Sequence, residues 1–315
     1  MTTLNERAHA LCDAMAANAE PLGIAVSVLP CGTRLIDCGV KAIGSVEAGR
    51  RLAEVCLSGL GQVEVVPADG GTTTHEIRVK TERPVVACMA SQYAGWQITG
   101  EKFFAMGSGP MRAAAGREEL FDSIGCREKP PVCVGILETS NLPPDAVCVD
   151  IATKCGVGPD ELTLLTARTS SPAGTVQIVA RSLETALHKL HVLGFELNRV
   201  AIGRGSAPLP PVAGDDLVAI GWTNDAILYG GIVDLNVRGD DTSLKVIGPK
   251  VSSIASADYG RPFAEIFARY DRDFYRIDPM LFSPAVVRLQ NIDTGSTFEF
   301  GRTAPHVLAE SFTKK

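Results

Sequence analysis

Three apolar runs crowd between residues 131 and 168: PVCVGILE, DAVCVDIA and LTLLTAR. Runs of successive apolar residues, rather than alternating ones, suit strands buried inside a sheet with layers packed on it. The middle of the chain is therefore expected to hold interior strands, and RVAIG (199–203) reads the same way. Helical spacing stands beside them. Leu4, Ala8, Leu11 and Met15 predict a first helix stopped at Pro21 and Gly23, and a second runs from Val46 to about Leu60 with Gly59 and Gly61 at its end. A long helix is expected from Thr175 to Leu193, with Gly194 after it, and another over Pro262–Tyr270. IAVSVLP, TRLIDCG, QVEVV, EIRVK and PVVACMA read as strands. So do IVDLNV and SLKVIG around the RGDD turn, and AVVRLQNI and GSTFEFG as a terminal hairpin. Strands and helices mix without strict β-α-β-α alternation, which points to an α/β class of the mixed α+β kind.

Composition narrows what such a chain does. Its 315 residues exceed one small core, and 45% are hydrophobic against 21% charged, enough apolar matter for a real interior. The net charge of −6 runs against a general nucleic-acid binder. No signal-peptide pattern opens the sequence and no stretch of about 18 apolar residues occurs, so a cytoplasmic, membrane-free protein is expected. Nine cysteines are scattered with no C-x-x-C, and most stand among Val, Ile and Ala, as reduced core residues do.

Chemistry has one conspicuous address, the segment TVQIVARSLETALHKLHVLG (175–194). Ala180, Leu183, Leu187 and Leu190 make an apolar stripe; Arg181, Glu184, His188 and His191 make a polar one. A glutamate held beside an arginine can take a proton from water. The same pattern also describes an ordinary amphipathic surface helix, where an Arg–Glu pair contributes only a few tenths of a kcal/mol. A third reading takes Glu184, His188 and His191 as a carboxylate–bis-histidine metal site. However, H-E-x-x-H is absent and His9, His75 and His306 are isolated.

Two glycine-rich strings, MGSGPMRA (106–113) and IGRGSAPLPP (202–211), could offer backbone N–H groups to an anion or a pterin amide. The second opens a Gly- and Pro-rich stretch, 203–216, that reads as a long loop. Neither is a P-loop or a dinucleotide fingerprint, and no G-x-S-x-G elbow occurs, so nucleotide binding and serine hydrolysis lack support.

In order along the chain come AGWQI (94–98), FFAMGSGPMRA (103–113), ARSLETALHKL (180–190) and GRGSAPLPP (203–211), then TNDAILYGG (223–231) and DYGRPFAEIFARYDRDFYRIDPMLFSPA (258–285). Together they resemble the methenyltetrahydromethanopterin cyclohydrolases of methanogenic archaea and methylotrophic bacteria. The resemblance implies two α/β domains with the active-site cleft between them, one built from residues 1–90 with 232–315 and one from 91–231 carrying the catalytic helix. It implies hydrolysis of a methenyl bridge on a tetrahydromethanopterin carrier, in one-carbon metabolism such as formaldehyde oxidation, with no metal and no bound cofactor. A homotrimer is implied, with a small-molecule pterin substrate and neither nucleic acid nor membrane as partner. The catalytic pair would be Arg181 and Glu184, with Gly107, Ser108, Gly109, Pro110, Gly203, Arg204, Gly205, Ser206, Asn224 and Asp225 as substrate-binding residues. A cyclohydrolase acting on a folate-type carrier and a non-catalytic pterin-binding protein are the competing expectations.

Overall fold

The computed structural model describes residues 2–313. The chain opens with α1 (Leu4–Ala16), where the Thr3 side chain accepts the Glu6 N–H and the Glu6 carboxylate accepts the Thr3 N–H, a reciprocal cap. There follow α2 (Ala19–Leu22), β1 (Ala25–Val28), β2 (Arg34–Gly39), α3 (Val46–Cys56), β3 (Gly61–Pro67) and β4 (His75–Thr81). A π-helical segment, Val85–Gln92, leads to β5 (Trp96–Gly100), β6 (Phe103–Ser108), α4 (Met111–Ala115), α5 (Leu120–Ile124), β7 (Cys133–Glu138), α6 (Asp145–Cys155) and β8 (Leu162–Ala167). Then come α7 (Pro172–Val179), α8 (Ser182–Val192), β9 (Val200–Pro208), α9 (Asp216–Gly230), β10 (Ile232–Val237), α10 (Asp241–Ile247) and α11 (Phe263–Arg269). The terminal hairpin β11 (Val286–Asn291) and β12 (Thr297–Gly301) precedes α12 (Pro305–Thr313). Among the described residues no helix is long and apolar enough to cross a membrane.

Outside the expected long helix, four segments depart from the sequence reading. DAVCVDIA is helix α6, not a strand: Val147, Cys148, Ile151, Ala152 and Cys155 are its buried residues, a helical repeat that a short apolar run conceals. SLKVIG lies in α10, started by the Asp240 carboxylate accepting the Ser243 N–H. PVVACMA falls in the π-helical segment. The expected loop at 203–216 begins as strand, because β9 continues to Pro208.

The chain folds as two compact units, residues 1–61 with 86–177 and residues 62–85 with 178–315. This is not the expected partition. The difference follows from strand pairing: β2 lies parallel to β8, so the N-terminal segment joins the central apolar strands. In the same way β9 pairs with β4 and β10, which draws the Arg181–Pro208 stretch into the unit that holds the C-terminal hairpin.

Unit 1 carries a six-stranded mixed sheet, β1-β2-β8-β7-β6-β5, with β2, β8 and β7 parallel. Every residue of β8 is buried, its four apolar residues together with Thr163 and Thr166. One apolar cluster joins Ala8, Cys12 and Met15 of α1 and Leu52 and Val55 of α3 to Ile36, Val134 and Leu165 of the sheet. The alternate residues Leu35, Leu137 and Leu164 pack in a second cluster with Val147, Cys148 and Ile151 of α6. The sheet is thus covered on both faces.

Unit 2 has its own six-stranded sheet, β12-β11-β10-β9-β4-β3, in which β10 lies parallel to β11 while β12–β11, β10–β9 and β9–β4 pair antiparallel. Its strands alternate: Ile77, Val79 and Thr81 are buried while Arg78 and Lys80 are exposed. A separate aromatic cluster joins α9, α11 and α12 through Leu228, Tyr229, Phe263, Phe267 and Leu308.

Candidate functional site

The expected long helix is broken. α7 ends at Val179 and α8 begins at Ser182, with Arg181 between them at φ −91° and ψ 3°. The Arg181 N–H turns back to Ile178 O at 3.0 Å, and the Arg181 carbonyl accepts the Thr185 N–H at 2.8 Å, opening the ladder of α8. Arg181 is therefore the residue before the helix, and Glu184 lies in its first turn. Negative charge is favoured there, where the first N–H groups of a helix lack carbonyl partners within it.

The break is tied to the sheet beneath. A side-chain carbon at Gly205 of β9 would stand 2.6 Å from Ser182 Oγ and 3.0 Å from Leu183 N, and one at Gly203 would stand 2.7 Å from Leu183. No larger residue fits under the first turn of α8 without displacing it. Gly203 and Gly205 thereby let the helix start settle onto the strand, and Gly205 also lines a pocket with Arg204 and Ser206.

Arg181 and Glu184 form an ion pair, Nη1 to Oε2 at 3.7 Å, with both side chains about 8% exposed. Burial is what the sequence pattern withheld. An exposed i, i+3 pair is worth little, whereas a paired charge inside the protein has lost most of its water and depends on its neighbours. α8 is consequently not an ordinary amphipathic surface helix: Ser182, Leu183, Glu184, Ala186, Leu187, Lys189 and Leu190 are all buried, with His188 and His191 half-buried. Among the described residues no three His, Cys, Asp or Glu side chains gather as a metal site, so the Glu184–His188–His191 alternative finds no such grouping.

Lys189 is a residue the sequence reading passed over. It is buried, its Nζ donates to Met280 O, and burial lowers its pKa to about 8 against the opposing attraction of Asp278. Asp278 accepts from Ser256 Oγ at 2.7 Å and from the Met280 N–H at 3.0 Å. This arrangement ties α8 to the turn at residues 278–281. The signal was present in sequence, a lysine on the buried side between Ala186 and Leu190, but it reads as a surface residue until the turn is placed.

The remaining expected site residues scatter. Arg204 and Ser206 alternate with Gly203 and Gly205 and so point to the opposite face of the sheet from α8. There, with Arg78, Lys80, Ile232 and Asp234, they line an open pocket of about 420 Å³. They are not companions of Glu184. Asn224 donates to Ile220 O of its own helix at 2.8 Å. Asp225 is wholly buried and accepts from the Phe263 N–H at 2.8 Å and from Ser311 Oγ at 2.5 Å, joining α9, α11 and α12; burial pushes its pKa up to about 7. It faces no solvent and offers no surface to a substrate.

In unit 1, Gly107 and Ser108 finish β6 and Pro110 precedes α4. Gly109 needs its positive φ of 88°, and a side-chain carbon on it would meet Ile136 at 2.4 Å. Two residues after Pro110 stands Arg112, also missed in sequence. Its buried guanidinium donates through Nε and Nη2 to the two oxygens of Glu118 and through Nη1 to Met89 O, and it lies over the rings of Tyr93 and Phe121.

Comparison with known proteins bears on this geometry. A family model described as Cyclohydrolase (MCH) matches residues 3–312. A methenyltetrahydromethanopterin cyclohydrolase of Xanthobacter autotrophicus is 48% identical over 303 residues, covering 96% of this chain and 90% of that one. The protein of that name from Methylobacillus flagellatus is 45% identical over 98% of this chain and 95% of its own. One from Methanococcoides burtonii is 37% identical over 99% and 98%.

Proposed function

The chain belongs to the methenyltetrahydromethanopterin cyclohydrolase family, and on that premise we propose that Glu184, held by Arg181, is the base of the hydrolysis. The enzyme opens the methenyl bridge of 5,10-methenyltetrahydromethanopterin to give the 5-formyl compound. The observation that carries the assignment of roles is the buried Arg181–Glu184 pair at the start of α8.

The bridge is an amidinium cation and already electrophilic, so the reaction chiefly needs a water over the bridging carbon and a base for its proton. Glu184 takes one proton as the water oxygen bonds to that carbon, and its charge favours the bound cation. The carbon–N10 bond then breaks with its electrons on nitrogen. Glu184 returns its proton to N10 while the new hydroxyl loses one and becomes the formyl carbonyl. The sum is one water consumed and one proton released. Arg181 keeps the carboxylate oriented and steadies oxygen charge at the hydroxylated stage.

The proposal extends to a cytoplasmic homotrimer that works without bound metal or cofactor. Chelator-treated enzyme should keep its turnover, and activity lost to chelation and restored by zinc would count against that part. The central test follows the absorbance of the methenyl substrate with wild type beside Glu184→Gln. Fast decay in wild type, lost in a folded variant that still binds substrate, supports the assignment. Near wild-type decay in Glu184→Gln moves the base elsewhere.

A further inference from the structure

A helix lying on a sheet has its height and its rotation about its own axis to settle, and Glu184 is only as well placed as α8 is. Gly203 and Gly205 settle the height: a side-chain carbon on them would stand 2.7 Å from Leu183 and 2.6 Å from Ser182 Oγ. A glycine floor, however, has no side chains between which the ridges of a helix can lock. The buried Leu183, Leu187 and Leu190 add apolar contact, which has no preferred direction. Rotation is held by directional contacts.

Lys189 supplies one. It follows Glu184 by five residues, which on an α-helix is about 140° around the axis and about 7.5 Å along it. Lys189 is 1% exposed, and its Nζ donates to Met280 O at 2.5 Å. The acceptor is itself fixed. The Met280 N–H donates to Asp278 Oδ1 at 3.0 Å, while Asp278 Oδ2 accepts from Ser256 Oγ at 2.7 Å and from the Ala257 N–H at 3.2 Å. Ile277 and Leu281, on either side, are buried in the aromatic cluster of α9, α11 and α12. Lys189 thus ties α8 to a part of unit 2 other than the sheet beneath it. A rotation of about 10° would move a group about 6 Å from the helix axis by about 1 Å. A misplacement of that size can cost about a hundredfold in rate.

On the reading of Glu184 as the base, we propose that Lys189 is a positioning residue of the hydrolysis: through Met280 O it fixes the rotation of α8 and thereby the place of the Glu184 carboxylate. Lys189 acts through the helix and not on the substrate. Keeping an ammonium in the interior is costly, and an apolar chain of like length would serve stability there at least as well. What such a chain cannot do is hold the Met280 carbonyl.

The experiment is a double-mutant cycle on the full-length protein, following the absorbance of the methenyl substrate well below the unfolding temperature and recording Tm for each variant. Lys189→Met should lower kcat about 10- to 100-fold, with KM within about twofold and Tm unchanged or higher. In the Glu184→Gln background the same change should cost less than about twofold, because misplacement matters only while there is a base to misplace. An equal fold-loss in both backgrounds would overturn the proposal, since Lys189 would then act on something other than Glu184. Full kcat in Lys189→Met would overturn it too. So would an unfolded or strongly destabilised variant, which would make Lys189 a part of the fold alone. Glu184→Gln by itself reports on the base assignment, so failure of that reading shows in a different variant from failure of this one.

Discussion

Unit 2 buries two acids on two helices, and they are built for opposite purposes. Asp225 of α9 is completely enclosed, and donors from α11 and α12 meet its two oxygens. Burial raises its pKa to about 7, which favours the neutral acid. Glu184 lies in the first turn of α8 with a guanidinium 3.7 Å away and keeps 6% of its surface in contact with solvent. One acid is a structural joint that tolerates its own neutralisation. The other has a cation beside it and an edge that a ligand can touch. Burial of a carboxylate therefore says little until its neighbours are named.

The same isosteric change tests both sides of this contrast. Glu184→Gln should cut turnover roughly a thousandfold, within the range for loss of a general base, while Tm stays within a couple of degrees. If Asp225→Asn cost as much activity, the contrast would be broken. Next in size, Arg181→Ala should lower kcat about 10- to 100-fold, and Arg181→Lys should recover only part, since an ammonium keeps the charge but lacks the planar fork. Equal activity in the Lys and Ala variants would show that charge at this position is not what matters.

Gly205→Ala attacks the platform rather than the pair. Its added carbon falls 2.6 Å from Ser182 Oγ, so the start of α8 must shift. A stability loss of about 1–3 kcal/mol by thermal or urea unfolding is expected, together with reduced turnover. Lost stability with full kcat would mean that Glu184 does not depend on that seat.

The last test leaves activity aside and sharpens the structural side. Asp225 has a folded pKa of about 7 against an ordinary 3.8, so between these values the native state holds a proton that the unfolded state has released. Stability then falls as pH rises through that window, by up to about 1.4 kcal/mol per pH unit from this group. Asp225→Asn removes this contribution. Urea midpoints measured at several values between pH 4 and 7 should decline less steeply in the variant than in wild type. Parallel profiles would show that Asp225 is ionised in the native protein throughout.

Legibility followed the range of the interaction. β7 and β8 were readable because strands buried on both faces favour apolar residues at most positions rather than at alternate ones. α6 was misread because eight apolar-rich residues satisfy a strand and a helix alike, and only Pro144 before it and Gly156 at φ +74° after it mark the ends. At Gly203 and Gly205 a helix of the same unit comes close, which nothing in the local sequence announces. Arg112 and Lys189 were missed because long cationic side chains are exposed by default, and nothing local announces the Glu118 or the Met280 carbonyl that receives them.

By itself the sequence determined the mixed α/β class, the family strings and the Arg-x-x-Glu spacing, all of which depend on residues near one another in the chain. Tertiary structure alone decided that the helix breaks at Arg181, that Glu184 is buried in a first turn, and that Asp225 is a joint. Helical periodicity states which residues share a face. What covers that face, and how much water remains there, depends on strands and turns brought in from distant parts of the chain, and these govern the energetics of a buried charge.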